Sequence, residues 1–224
     1  MKRSEINQAI RDAIEFFEKN RFPLPKFAYF TPDDWVERFS AYNEVVDCRL
    51  GWDVTDAGSG DFLSIGRTIF TLRNGNVNLP EQYPKNFAQK IMYLQEGQRL
   101  PMHHHASQME DIINQAGGVL QIQVWNKDKS SETLVSLDGR KLAVDSGSII
   151  SLNPGESISL VQGVNHQFWA EKGTGSVLSM EISSVCDDIS DNIWQSPATR
   201  FPEIIEDEEK EFLLCLEYPD ETLH

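Results

Sequence analysis

The chain has 224 residues, with 20 basic and 35 acidic side chains, a formal net charge of −15 and a pI near 4.7. A hydrophobic share of 40% and an aromatic share of 10% can bury a core large enough to offset the entropy of ordering, which excludes a disordered chain. The acid excess argues against a polyanion partner such as nucleic acid, and the lack of an 18-residue apolar run argues against a membrane span.

Residues 4–20 read as an amphipathic helix capped by Ser4, with Ile6, Ile10, Ile14 and Phe17 along one face and Arg11, Asp12 and Lys19 off it. Arg21-Phe22-Pro23-Leu24-Pro25 ends it. Thr31-Pro32-Asp33-Asp34 starts a second helix: a capping threonine, a proline in the first turn and two acids at the positive dipole end. Its apolar side chains Trp35, Val36 and Phe39 read as a packing face. From about residue 60 short runs of Ile, Val, Phe and Leu alternate with turn signals such as Asn126-Lys127-Asp128, Asp138-Gly139 and Pro154-Gly155. Val119-Leu120-Gln121-Ile122-Gln123-Val124 alternates as a half-buried strand does. No helix-period segment interrupts 86–184, which disfavours a βαβ layout and predicts an all-β sandwich or barrel. The tail is acidic from Glu203 to Glu211 and then apolar from Phe212 to Leu216. It reads as a solvated extension whose apolar run packs back on the domain or pairs with a neighbouring subunit. The expected division is therefore an N-terminal helical extension over 1–58, a β domain over 59–197 and an acidic C-terminal extension over 198–224.

The five histidines are unevenly placed: His103, His104 and His105 are consecutive, His166 is distant and His224 is last. On a strand His103 and His105 share a face and His104 points away. With Glu110 just across a loop, and with His166, they make a reasonable set for a divalent transition metal; a solvent-exposed histidine run is the plainer alternative. The spacing is Gly97-x5-His103-x-His105-x4-Glu110-x6-Gly117, which matches the first cupin motif at every defining position. Its chance expectation over roughly 200 registers is on the order of 10⁻⁴ or less. Gly155-x5-Val161-x-Gly163-x2-His166-x3-Ala170 resembles the second motif, with Val161 for the usual proline and Ala170 for the usual asparagine. The resemblance implies a cupin, a small jelly-roll β-barrel, over 59–197, with His103, His105, Glu110 and His166 as metal ligands.

More of the chain bears on activity. Met180-Glu181-Ile182-Ser183-Ser184-Val185-Cys186-Asp187-Asp188-Ile189-Ser190-Asp191-Asn192 with Arg200-Phe201-Pro202-Glu203 resembles the C-terminal signature of the D-lyxose isomerase family. Met1-Lys2-Arg3-Ser4-Glu5-Ile6-Asn7 and Phe27-Ala28-Tyr29-Phe30-Thr31-Pro32-Asp33-Asp34-Trp35 are similar to it as well, so the likeness reaches from the first residue to about residue 210. It implies interconversion of an aldose such as D-lyxose or D-mannose with the matching ketose, a bound divalent metal (most often Mn²⁺) and a small neutral sugar as partner. Helically extended cupins commonly form dimers, so a homodimer is expected. A charged N-terminus without an apolar leader region, and the separated cysteines Cys48, Cys186 and Cys215, suit a cytoplasmic protein with reduced thiols.

Such a reaction moves a hydrogen between C2 and C1, which calls for acid–base groups inside the barrel. Lys90 interrupts the apolar run 87–94, so it stands at a barrel mouth or in a polar cavity, and the resemblance places a lysine before the first metal motif. Glu181 lies between Met180 and Ile182 on a strand, where a charge is costly unless it faces solvent or a site. Asp188, with Asp187 and Asp191, follows that strand and could close over the sugar or form turns. Phe168 and Trp169 could wall the pocket or pack in the core. Two other readings stand beside the isomerase: an Fe(II) cupin dioxygenase on the same four ligands, and a non-catalytic sugar-binding cupin.

Overall fold

A computed structural model describes residues 1–126, 132–187 and 191–219. The chain opens with helices α1 (Arg3–Lys19), α2 (Pro32–Arg38) and α3 (Asn43–Asp47). Strands follow: β1 (Gly51–Thr55), β2 (Arg67–Arg73), β3 (Phe87–Leu94), β4 (His103–His105), β5 (Glu110–Gly117), β6 (Leu120–Trp125), β7 (Glu132–Leu137) and β8 (Arg140–Asp145). The last are β9 (Ile149–Leu152), β10 (Ser157–Leu160), β11 (Asn165–Ala170), β12 (Val177–Ser184) and β13 (Asn192–Trp194). They form an eight-stranded sheet in the order β1-β2-β3-β12-β5-β10-β7-β8 and a five-stranded sheet in the order β13-β4-β11-β6-β9. The named strand pairs are antiparallel, which gives the all-β, jelly-roll-like class expected, with N-terminal helices. Among the described residues no helix is long and apolar enough to cross a membrane.

Alternation along the strands decides what meets what. On β6, Leu120, Ile122 and Val124 are buried and join Ile69, Met92, Ile112, Ile158 and Phe168 in a core built from both sheets. Facing the other way, Phe70 and Ile91 pack with Trp52, Val54 and Leu178 under Ile6, Ile10, Ala13 and Phe17 of α1. The eight-stranded sheet is therefore apolar on both faces near β2 and β3, and the helix covers the face the barrel does not use. The Asp138-Gly139 turn, with φ of 47° and +80°, joins β7 to β8 as a tight hairpin. Gly117 has φ +97°, and a Cβ there would meet Ser176 O at 2.2 Å, so the glycine ending the first motif permits close backbone approach. The Asn126-Lys127-Asp128 turn lies partly outside the described residues.

One expectation at the N-terminal end is corrected. The cap of α1 is Lys2, whose N–H donates to Glu5 at 2.9 Å, and not Ser4, whose Oγ donates to Asp207 at 2.8 Å. Helix α2 keeps its expected cap: Asp34 N–H donates to Thr31 Oγ1 at 3.2 Å, and Thr31 N–H donates back to the Asp34 carboxylate at 3.1 Å. Strand β1, inside the span read as helical, pairs with β2 along its full length. At the other end, Leu213 and Leu214 are buried in the domain, so the apolar run packs back on its own chain.

The acidic segment is held by several cations, of which Arg3 is the fully buried one. Arg3 is fully buried and pairs with Glu206 at 2.8 Å and also with Glu217. Asp207 accepts from Ser4, and Ile205 bridges Lys2. The Arg3 hydrogen bonds hold Glu206 below the usual carboxylate range, and Ser4 N–H does the same for Asp207. Burial would raise Glu217, but hydrogen bonds from Arg3 and Leu214 N–H outweigh it and the carboxyl is lowered. Arg3→Met should lower unfolding stability by about 2 kcal/mol, read as a shifted urea midpoint, the scale of hydrogen bonds lost from a buried charged group, with Glu217 keeping Lys210. Depressed carboxyls contribute stability that is present above their unfolded pKa of about 4.3 and lost as pH falls through the folded values. The midpoint should therefore fall on acidification below about pH 4, and fall less in Arg3→Met.

Candidate active site

Strand β4 is only three residues long and lies between β11 and β13, with His103 opposite His166 on one side and Trp194 on the other. Alternation turns His103 and His105 into the barrel, where both are buried, and sends His104 the other way, where its Nδ1 lies 3.1 Å from Asn165 Oδ1. His166 is 1% exposed on β11. The ring nitrogens of His103, His105 and His166 that could bind a metal lie within 4.8 Å of one another. Glu110 opens β5 on the facing sheet and brings Oε1 to 3.1 Å from His166 Nε2 and 3.6 Å from His105 Nε2.

Backbone and side-chain partners fix how the imidazoles are presented. His103 Nδ1 is 3.0 Å from Pro101 O and His166 Nδ1 is 3.1 Å from Val164 O; a carbonyl only accepts, so each Nδ1 carries the proton. His105 Nδ1 lies 3.3 Å from Asp191 Oδ2. His103 and His166 thus turn Nε2 toward the cavity with the lone pair available, the arrangement outer-shell partners impose on ligand histidines, whereas for His105 burial opposes a charge but Glu110 and Asp191 outweigh it and raise the ring to about 8. His166 obtains its partner from the main chain, so the departures at Val161 and Ala170 leave that support intact.

Electrostatics make the cluster ill at ease without a cation. Burial, then the charge His105 would carry, pushes His166 down to about 3, and burial first drives His103 well below its ordinary value. Burial raises Glu110. His166 Nε2 and Glu110 Oε2 have no hydrogen-bond partner within the protein. A lone pair on His166 Nε2 and a carboxylate oxygen 3.1 Å apart repel unless a positive centre lies between them. An imidazolium is disfavoured there, so a proton in that gap would sit on the Glu110 carboxyl, which burial raises, and a metal cation can take its place. A divalent cation suits the donor set, so the histidine cluster could hold a metal.

The acid–base candidates face the same space. Glu181 on β12 is the register partner of Lys90 on β3, both are buried, and Lys90 Nζ lies 3.5 Å from Glu181 Oε1 and 2.8 Å from Cys186 Sγ. Lys90, Glu181, His103, His105, Glu110 and His166 line one cavity, so of its two expected positions Lys90 occupies the interior one. The aspartates divide. Asp191 accepts from Ser107 N–H and Oγ at 2.8 and 2.5 Å and stands on His105; it orients a ring and is not a cover for the cavity. Asp187 pairs with Arg49 at 3.5 Å, away from the cluster. Asp188 lies outside the described residues. Phe168 lines the cavity, whereas Trp169, the next residue along the strand, lies under Arg99, whose guanidinium carbon is 3.7 Å from its ring centroid.

Sequence reasoning missed Arg67, Asn192, Trp194 and Arg200, which also line the cavity. Trp194 lies 4.9 Å, centroid to centroid, from His103, and Arg200 pairs with Asp53 of β1. The period-2 pattern of β2 could have flagged Arg67, since it shares a face with Ile69. Binding of a divalent ion, measured by elemental analysis, should be lost in the His103→Ala/His105→Ala double variant and persist in His104→Ala. Asp191→Ala should bind roughly 10- to 100-fold more weakly, the usual effect of removing an outer-shell partner. Full occupancy in the double variant would place the ion elsewhere.

Comparison with known proteins agrees with this geometry. A family model described as D-lyxose isomerase matches residues 1–218. Proteins named D-lyxose/D-mannose isomerase from Escherichia coli O157:H7 and Serratia proteamaculans are each 44% identical over 225 residues, covering 97% of this chain and 98% of theirs. The crystal structure of Acinetobacter sp. DL28 L-ribose isomerase in complex with L-ribose superposes with a TM-score of 0.57 at 16% identity, covering 92% of this chain and 98% of that one. The Cellulomonas parahominis L-ribose isomerase with L-ribose gives 0.56 at 13%, with the same coverage. These structural likenesses speak to the fold.

Proposed function

The chain belongs to the D-lyxose isomerase family and is by that membership an aldose–ketose isomerase; from this premise we propose that it interconverts D-lyxose with D-xylulose and D-mannose with D-fructose through an enediol. The two aldoses share their configuration at C2, C3 and C4, so one site can present the same reacting end of either. The observation that carries the reading is the Lys90–Glu181 pair, buried and turned into the cavity that holds the three imidazoles.

His103, His105, Glu110 and His166 would hold the divalent metal, with Mn²⁺ as the ion the family membership suggests. When bound, such an ion acts as a Lewis acid that polarises the carbonyl and makes the C2 hydrogen more acidic. Glu181 takes the proton from C2 and returns it to C1. Lys90 donates a proton to O1 as the carbonyl opens and recovers one from O2–H as the ketone forms, so each group ends the cycle as it began. The facing strands hold both groups at fixed positions, and the apolar walls from Ile69, Met92, Leu100 and Phe168 exclude water from the reacting carbon. The reading includes a cytoplasmic protein, consistent with three cysteines that form no disulfide, and a homodimer, which rests on the likeness to helically extended cupins.

Metal-stripped protein given D-lyxose or D-mannose should form ketose only after Mn²⁺ is restored, without consuming oxygen; no ketose from either sugar would end this reading, and oxygen uptake would favour a dioxygenase. For the proton route, Glu181→Gln should lower kcat roughly 10²-fold or more with metal content unchanged. Wild-type turnover in D₂O should place solvent deuterium in the product. Near-normal turnover in Glu181→Gln, with no deuterium incorporated, would point to a hydride shift between the two carbons instead.

A further inference from the structure

Arg67 opens β2 and is 1% exposed, with its guanidinium in the wall of the cavity. One amino group, Nη2, donates to Phe168 O at 3.1 Å, and the guanidinium carbon lies 4.1 Å from the centroid of the Phe168 ring. Nε and Nη1 are buried and have no hydrogen-bond partner within the protein. Burial, and then the charge of Arg200, pulls the guanidinium down to about 9, so it remains protonated at neutral pH. A protein does not bury a charged group with unmet N–H donors cheaply, and a purely structural role would be met by an apolar side chain of similar volume.

Its position within the register says what the donors are for. Lys90 pairs with Thr71, and Arg67 lies four residues back along β2, roughly 13 Å away at the backbone at about 3.3 Å per residue. The acid–base pair and Arg67 therefore flank the cavity from opposite ends, with the histidine cluster and Phe168 on the facing sheet. We propose that Arg67 is a substrate-binding residue, its Nε–H and Nη1–H groups donating to hydroxyl oxygens at the end of the open-chain sugar remote from C1 and C2. These donors lie on different edges of the guanidinium, so they engage separate oxygens, which suits a polyol better than a single carboxylate. The assignment rests on the isomerase reading and adds to it the group that grips the non-reacting half of the substrate.

The test uses the metal-loaded protein with D-arabinitol and D-mannitol, the reduced and unreactive forms of D-lyxose and D-mannose, titrated by calorimetry. Arg67→Gln and Arg67→Lys should weaken alditol binding roughly 10- to 100-fold, the scale of lost hydrogen bonds from a charged donor. They should raise KM for the aldoses far more than they lower kcat, with metal content and melting behaviour close to wild type. A crystal structure of the wild-type alditol complex, which depends on no variant folding, should place alditol oxygens within 3.5 Å of Nε or Nη1. Unchanged alditol affinity in a folded, metal-loaded Arg67→Gln would overturn the assignment while leaving the isomerase reading in place. So would a complex in which only water meets those nitrogens. A wild-type protein that forms no ketose and binds neither alditol would overturn both.

Discussion

A carboxylate oxygen of Glu110 faces the lone pair of His166 Nε2 at 3.1 Å, in a space that burial has stripped of water. Two electron-rich atoms held so close call for a proton or a metal cation between them, and the surrounding fold is the means of keeping them there. His166 cannot turn its proton inward, because Val164 O holds Nδ1–H. His103 is fixed likewise by Pro101 O, and His105 is steadied by Asp191. The imidazoles come from the five-stranded sheet and the carboxylate from the eight-stranded one, so the cluster depends on the two sheets being clamped face to face. Phe168, Ile122, Met92 and Ile112 supply that clamp. The apolar core thus does more than stabilise the fold: it holds unlike groups at distances they would not choose alone.

The proposed acid–base pair lies within the eight-stranded sheet alone. Lys90 and Glu181 are cross-strand neighbours on β3 and β12, and their separation is set by backbone register. A pair on rigid strands is held at a fixed separation, where a pair on loops would relax. On the opposite face of the same strands, Ile91 and Leu178 lie beneath α1. The helix that looks like an N-terminal accessory therefore backs the strands that carry Lys90 and Glu181. The chain ends interlock around it: Arg3 holds the acidic segment, and that same stretch of chain delivers Arg200 to the cavity, where Asp53 of β1 receives it.

Charge is distributed with a clear contrast. The chain as a whole carries −15, yet the cavity is lined by Arg67, Lys90 and Arg200 against Glu110 and Glu181, with Asp53 behind Arg200. The surface excess acts over distances that salt screens, whereas the cavity groups act at contact, in a medium where each hydrogen bond counts for more. An uncharged polyol needs no steering from outside, and it can use every donor inside.

Much of the fold was legible in local pattern. The alternation of β6, the Asp138-Gly139 turn, the capping of α2 and the placement of His103 and His105 on one face of a strand follow from side-chain period and backbone preference, which act within a few residues. Lys90 and Glu181 could be singled out for a related reason: a charge inside an apolar strand is costly wherever that strand goes, so it signals a site before the site is known. Asn192, Trp194 and Arg200 gave no such signal, because what brings them to the cavity is which strands lie opposite one another, and a hydrogen-bond ladder between segments as far apart in sequence as β4 and β13 leaves no mark on either segment alone. Asp191 shows the same limit. Its residue type suited a turn or a cover over the cavity equally, and only the pairing of β13 with β4 brought it to His105. The cap of α1 passed from Ser4 to Lys2 because Asp207, two hundred residues away in sequence, claimed the serine hydroxyl. Sequence alone determined the strand-rich class, the ligand spacing and the buried charges; tertiary structure decided which of those charges meet, because register and sheet facing are set by contacts that no local window contains.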